Sequence, residues 1–272
     1  MIKMILSDLD ETLLVDFHVP SINRDAIAKA RKKGVHFAVA SGRARFMVQS
    51  ILEEVGTAEC EDEYSICYNG AAVYRNSDPR PLFVSPLCFE QIEAVKKISD
   101  HYGLCFLAMT LDQIWMYHPS ESEVKRKTTQ HARFQIETDL NVLKEDQVMK
   151  IALQSDSEEQ LYAIGEEQAE RFKEMGVEIS YSSGRYLECT CRGVSKGSAL
   201  RWLCGYLGLK QEETMTIGDN YNDIEMLKEA GLGVCVADGR DEAKNAANAV
   251  TEKGYKEGAV AEAIERFVLA KL

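Results

Sequence analysis

Apolar residues come in short blocks separated by stretches of helical spacing. Residues 2–7 form a brief apolar run, the pattern of a buried strand. From Asn23 to Lys33 the apolar positions Ala26, Ile27 and Ala30 recur among polar ones, which predicts a helix. Pro20-Ser21 before it and Gly34 after it supply start and stop signals. Residues 35–41, VHFAVAS, read as a second strand ending at Ser41-Gly42-Arg43. A helix is expected over 44–55, and a third strand over 64–71, YSICYNGA, ending at Asn69-Gly70. Strand, helix, strand, helix, strand implies a parallel sheet with helices on its faces.

The middle of the chain has a different rhythm. After the turn-rich NSDPRP at 76–81 come a helix near 89–102, the short strands LCFLAM and QIWMYH, a helix near 157–175, and VEISYSS. The parallel pattern then resumes. A helix is expected over Lys196–Leu207, a strand over 214–219 and a helix over Asn222–Glu229 stopped by Gly231. A strand over 232–237 and a closing helix over Gly258–Lys271 complete it. The expected fold is therefore α/β: a mainly parallel, Rossmann-like sheet core built from 1–81 and 187–272, with an α+β domain inserted over 82–186. Within the insert, Trp115, Met116, Tyr117 and His118 read as sheet packing, and Lys125-Arg126-Lys127 as a solvated basic face.

Charge narrows the choice of partners. Among 272 residues, 44 acidic against 32 basic side chains give a formal net charge of −12. Such a chain is unsuited to neutralising phosphates in bulk, so no nucleic acid and no anionic membrane surface is expected as a partner. No apolar run approaches the about 18 residues that span a bilayer. The N-terminal apolar stretch is too short for a secretion signal and is interrupted by Asp8, so a cytoplasmic location is expected. The eight cysteines are scattered without a C-x-x-C pair and read as free thiols rather than metal ligands.

The chemistry collects at strand ends. In open parallel sheets, ligands bind outside the carboxyl ends of the strands. Those ends carry Asp8 and Asp10, Ser41-Gly42-Arg43, Asn69-Gly70, and Gly218-Asp219 with Asn222-Asp223. Carboxylates clustered without enough basic partners call for a cation, and all-oxygen ligation with a substrate phosphate suits Mg2+. Asp8 suits attack on phosphorus. Like charges close together tend to raise one carboxyl pKa, so Asp10 suits proton transfer.

These residues resemble the haloacid dehalogenase superfamily. DLDET at 8–12 is similar to its D-x-D-x-T motif, SGR at 41–43 to its second, the lysine of GVSKGSAL to its third and GDNYND at 218–223 to its fourth. YNGA at 68–71 and the ending VTEKGYKEGAVAEAI resemble the Cof-like branch, whose large α/β cap is inserted between the second and third motifs. One motif means little; four in order, each at a predicted element boundary, are specific.

The resemblance implies that Asp8 is a nucleophile forming an aspartyl-phosphate, and that Asp10 protonates the leaving alcohol and then activates water. Asp8, the Asp10 carbonyl and Asp219 would ligate Mg2+. Ser41 with the amides of Leu9 and Gly42, together with Lys196 and Asn222, would bind phosphate. Asp223 would support the metal. Arg43 and Asn69 are supporting candidates. Glu11 departs from the glycine frequent at its position, and its bearing on the metal is left open.

The implied activity is hydrolysis of a small phosphorylated metabolite, a sugar phosphate foremost, with the cap closing over it. A phosphotransferase or mutase would use the same motifs, and a non-catalytic phosphate-binding regulator is a third reading. The presence of Asp10 speaks for an alcohol leaving group.

Overall fold

The computed structural model describes residues 1–271, which fall into two compact units. The first comprises Met1–Gly42, Val48–Phe83 and Ser195–Leu272, and the second Arg43–Met47 and Val84–Val194. In chain order the strands are β1 (Met4–Ser7), β2 (His36–Ala40), β3 (Tyr64–Cys67), β4 (Ala72–Arg75), β5 (Pro81–Val84), β6 (Cys105–Thr110) and β7 (Ile114–Tyr117). There follow β8 (Phe134–Ile136), β9 (Val148–Gln154), β10 (Val177–Ser182), β11 (Tyr186–Cys191), β12 (Thr214–Gly218), β13 (Leu232–Cys235) and β14 (Ala249–Val250).

The first unit holds a sheet in the order β14-β13-β12-β1-β2-β3-β4-β5. From β14 to β3 every pairing is parallel, and β4 then turns back antiparallel to β3. The mainly parallel α/β expectation is met. All four residues of β1 are buried, as a strand covered on both faces requires. The helix Lys196–Leu207 covers one face. It buries Lys196, Ala199, Leu200, Leu203 and Cys204, the i, i+3, i+4, i+7, i+8 stripe of a core-facing helix, and the last four pack with Met4, Leu6, Ala38 and Ile66. Each leucine so buried contributes about 2 kcal/mol. Ser195 caps its start by accepting from the Ser198 N–H at 2.9 Å, and Gly208 at φ +67° ends it. Buried Asn23, on the helix Ser21–Lys32, accepts from the Ala261 N–H at 3.0 Å and donates to the Leu13 carbonyl at 3.3 Å. The closing helix Ala259–Phe267 is thereby tied to the loop that leaves β1.

The second unit holds a sheet in the order β10-β11-β9-β6-β7-β8, antiparallel except for β7 with β8. Phe106, Ile151, Leu153 and Leu187 project towards Val95 of the helix Phe89–Tyr102 and Ile164 of the helix Glu158–Glu167. Tyr117 packs in this core, its ring edge-on to Phe106, as read from sequence. The helical stretch near 157–175 is two helices, Glu158–Glu167 and Ala169–Met175, meeting at Gln168.

Two expectations need amendment. The stretch after residue 186 does not rejoin the first unit at once, because β11 pairs with both β9 and β10 and carries the second unit to Val194. Lys127 does not lie on a solvated face. It is buried on the helix Glu121–Thr129, where its Nζ pairs with Glu123 at 3.1 Å and donates to the Tyr186 hydroxyl at 3.2 Å. An ammonium is retained in such a place only when paired. Arg185 also donates to Glu123, at 3.2 Å.

Candidate active site

Four neighbouring strands, β12-β1-β2-β3, end at one edge of the first sheet. Past those ends stand Asp219, Asp8, Ser41 and Asn69 respectively. Backbone hydrogen bonds continue the ladder past the strands: Asp8 N–H donates to the Ile217 carbonyl at 2.9 Å, Ser41 N–H to Ile66 at 2.9 Å, and Asn69 N–H to Ser41 at 3.0 Å. The candidates are thus placed by sheet register, which is stiffer than a free loop.

Lys196 joins the two halves of the site. Its Nζ lies 2.5 Å from Asp8 Oδ1 and 2.6 Å from Asp223 Oδ1, and the side chain is fully buried. Asp223 Oδ2 accepts from the backbone N–H groups of Asp219, at 2.9 Å, and Asn220, at 3.1 Å. Asn222 Nδ2 donates to Asn69 Oδ1 at 3.2 Å. Asn69 adopts φ +56°, a left-handed conformation that asparagine tolerates well. Gly70 follows at φ +102°, and a Cβ there would stand 2.1 Å from the Ser195 carbonyl oxygen. Only glycine lets this turn seat against the start of the lysine-bearing helix.

Asp8, Asp219 and Asp223 bring one oxygen each within 4.8 Å of one another, all three residues buried. Three carboxylates face one ammonium. Burial pushes the Asp8 carboxyl up to about 7, against the attraction of Lys196 and with the repulsion of Asp223. Burial likewise pushes Asp219 well above the usual carboxylate range, reinforced by Asp223 and Asp8. For Lys196 burial works downward, but Asp223 and Asp8 outweigh it and hold the ammonium above its ordinary pKa. A divalent cation fits this deficit of positive charge. The donor set fits as well. Both Asp223 oxygens already have protein donors, which leaves the carboxylates of Asp8 and Asp219 to a cation, all hard oxygen.

The remaining candidates are placed as follows. Asp10 is half-buried, bridged to Leu14, and outside the three-carboxylate group. Its charge adds to the upward push on Asp8. Leu9 and Ser41 are buried and Gly42 half-exposed. Arg43 begins the short stretch that groups with the second unit. Glu11 is exposed at φ +60°, where a glycine would incur no Cβ penalty, so the departure from glycine carries backbone strain.

Thr12, the last residue of DLDET, has a partner that its motif does not reveal. Its Oγ1 donates to Asp219 Oδ1 at 2.6 Å, and the residue is fully buried. The sequence carries a signal for it: a threonine two residues past a proton-transfer candidate and directly before the apolar pair Leu13-Leu14. All eight cysteines are free thiols. Among the described residues no helix is long and apolar enough to cross a membrane.

The first unit is thus an α/β fold with a lysine-bridged acidic group at the carboxyl edge of its parallel strands. The profile of the haloacid dehalogenase-like hydrolases matches residues 5–264, and the chain belongs to that family. It is similar to the 5-amino-6-(5-phospho-D-ribitylamino)uracil phosphatase of Bacillus subtilis, 29% identical over 98% of this chain and 96% of the relative. It is also similar to the pyridoxal phosphate phosphatase of Escherichia coli, 27% identical over 91% and 92% respectively. Among solved structures, a haloacid dehalogenase-like hydrolase from Bacteroides thetaiotaomicron superposes with a TM-score of 0.84 at 25% identity, covering 98% of this chain and 99% of that one.

Proposed function

We propose that this protein is a Mg2+-dependent phosphatase of small phosphorylated metabolites, working through an aspartyl-phosphate on Asp8. The observation that carries the reading is the pair of short contacts from buried Lys196 to Asp8 and Asp223. They hold one carboxylate oxygen of Asp8 and leave the other, Oδ2, to attack phosphorus. The Asp8–phosphorus bond forms as the bond to the leaving oxygen breaks, and Asp10 gives that oxygen its proton. Asp10 then takes a proton from water, which attacks the phosphorus and frees Asp8. Lys196 and Asn222, with Ser41 and the amides of Leu9 and Gly42, are assigned the phosphoryl oxygens. Asp8, Asp219 and the Asp10 carbonyl would hold the metal, and Asp223 would orient the backbone that carries Asp219. When bound, Mg2+ offsets the negative charge that gathers on the phosphoryl group.

The two relatives named above act, by their names, on a ribityl phosphate and on pyridoxal phosphate. Both are phosphate monoesters of small polar alcohols. A sugar phosphate is the substrate proposed first, with the second unit, 84–194, as the cap that selects its organic part. Phosphoryl transfer to an organic acceptor would use the same Asp8 chemistry, and acceptor competition against water separates it from hydrolysis.

The test is phosphate release from a panel of phosphorylated metabolites, with Mg2+ and with chelator, for wild type and Asp8→Asn. Release that needs Mg2+ and vanishes in Asp8→Asn is expected. Release that survives in Asp8→Asn overturns the nucleophile.

A further inference from the structure

Asp219 is held from a second side by a loop that none of the four motifs contains. After β13 the chain turns through residues 236–240 and enters the helix Asp241–Ala246. The Arg240 N–H donates to the Asp219 carbonyl at 2.8 Å. Gly239 is buried against the same peptide: a Cβ there would lie 3.1 Å from the Asp219 Cα and 2.6 Å from the Cys235 sulfur. The loop therefore approaches Asp219 as closely as backbone can.

Side chains close the arrangement. The Arg240 guanidinium carbon sits 5.2 Å from the centre of the Tyr221 ring, within the range of a cation–π contact. The Tyr221 hydroxyl donates to Glu242 Oε1 at 3.1 Å, on the first turn of the helix that Arg240 opens. Tyr221 itself stands in the short helical turn Tyr221–Asp223, between Asp219 and Asn222. Tyr221 of the fourth motif is thus gripped by Arg240 at the end of the loop and Glu242 at the start of the helix, while the loop backbone grips Asp219.

We propose that Arg240, Tyr221 and Glu242 form a clamp that sets the position of the 219–223 segment, and through Asp219 the affinity of the site for a divalent cation. Arg240 and Glu242 act as positioning residues. They fix the segment through Tyr221 and the Asp219 carbonyl, whereas Thr12 holds the Asp219 carboxylate itself. Partners that orient a ligand in this way typically change metal affinity about 10-fold or more when removed. The inference rests on Asp219 being a metal ligand.

The experiment is calorimetric titration of Mg2+ into the substrate-free protein, for wild type, Arg240→Ala, Arg240→Lys and Asp219→Asn, with thermal unfolding of each in chelator. Arg240→Ala keeps the backbone bond to Asp219 but removes the cation over the ring. A Kd for Mg2+ raised about 10-fold in Arg240→Ala is expected, largely restored in Arg240→Lys, with unchanged melting in chelator. A Kd in Arg240→Ala within about twofold of wild type, when Asp219→Asn has abolished binding, overturns the clamp. Equal weakening in Arg240→Ala and Arg240→Lys overturns it too, since the ring contact would then be irrelevant. Binding that persists undiminished in Asp219→Asn overturns instead the assignment of Asp219 as ligand.

Discussion

Thr12 and Asp219 stand 207 residues apart in the chain, and the hydroxyl of the first donates to a carboxylate oxygen of the second at 2.6 Å. The bond ties the first motif to the fourth across the β1–β12 pairing, and it spends one Asp219 oxygen so that the other is aimed. Thr12→Val keeps the shape and removes the donor. Mg2+ affinity is expected to fall about 10-fold, while Thr12→Ser retains most of it. Calorimetry on the two variants decides the matter, and equal affinities would show that the bond does not orient Asp219.

Asp10 is expected to matter most for poor leaving groups. With an alkyl phosphate, Asp10→Asn should lower kcat by about 100-fold or more, because the departing alkoxide then lacks its proton. With an aryl phosphate, whose leaving group needs little protonation, the first step should survive and the second should not. Phosphorylated Asp8 would then accumulate, seen as a mass increase of the intact protein or as an acid-stable label. Equal losses on both substrates would remove Asp10 from proton transfer.

Gly70 gives a purely structural handle on the site. Gly70→Ala places a methyl group where the Ser195 carbonyl already stands, at a φ of +102° that alanine resists. A loss of about 3 kcal/mol in folding stability is expected, measured by urea unfolding. Activity should fall further than stability explains, because the strain is relieved by moving the start of the helix that carries Lys196. An alanine variant with normal stability would show that the turn and helix do not depend on each other.

The raised carboxyl pKa values predict how metal and pH interact. Asp8 is pushed up to about 7 and Asp219 is also raised, so in the metal-free fold both favour protonation. A carboxyl whose folded pKa exceeds its unfolded one supports the fold at low pH, and that support is lost as pH rises towards the folded value. The metal-free protein should therefore lose stability between about pH 4 and pH 7 on account of these groups. Added Mg2+ competes with the protons, so the rise in melting temperature it produces should be larger near pH 8 than near about pH 5.5. A stabilisation independent of pH would mean that these carboxylates do not bind the ion.

Much of the first unit can be read from the chain alone, because its parallel strands are buried on both faces and appear as continuous apolar runs. Lys196–Leu207 has the bounds expected from its apolar stripe, as does Phe89–Tyr102 in the second unit. Asp8, Ser41, Asn69 and Asp219 were legible for a related reason: each is the first polar residue after such a run. The insert was harder. Its antiparallel sheet has one face packed by helices and another that holds buried charge, so Lys127 looks like a surface residue until Glu123 is placed beside it.

What the sequence by itself determined is local and periodic: the elements, their capping, and the polar residues that end the strands. The tertiary structure alone decided the partners. It chose Thr12 and the Arg240 loop to hold Asp219, and Asp223 as the second partner of Lys196. Periodicity reports which face of an element is buried, whereas a hydrogen bond between residues 207 apart depends on which strands the folded sheet makes neighbours.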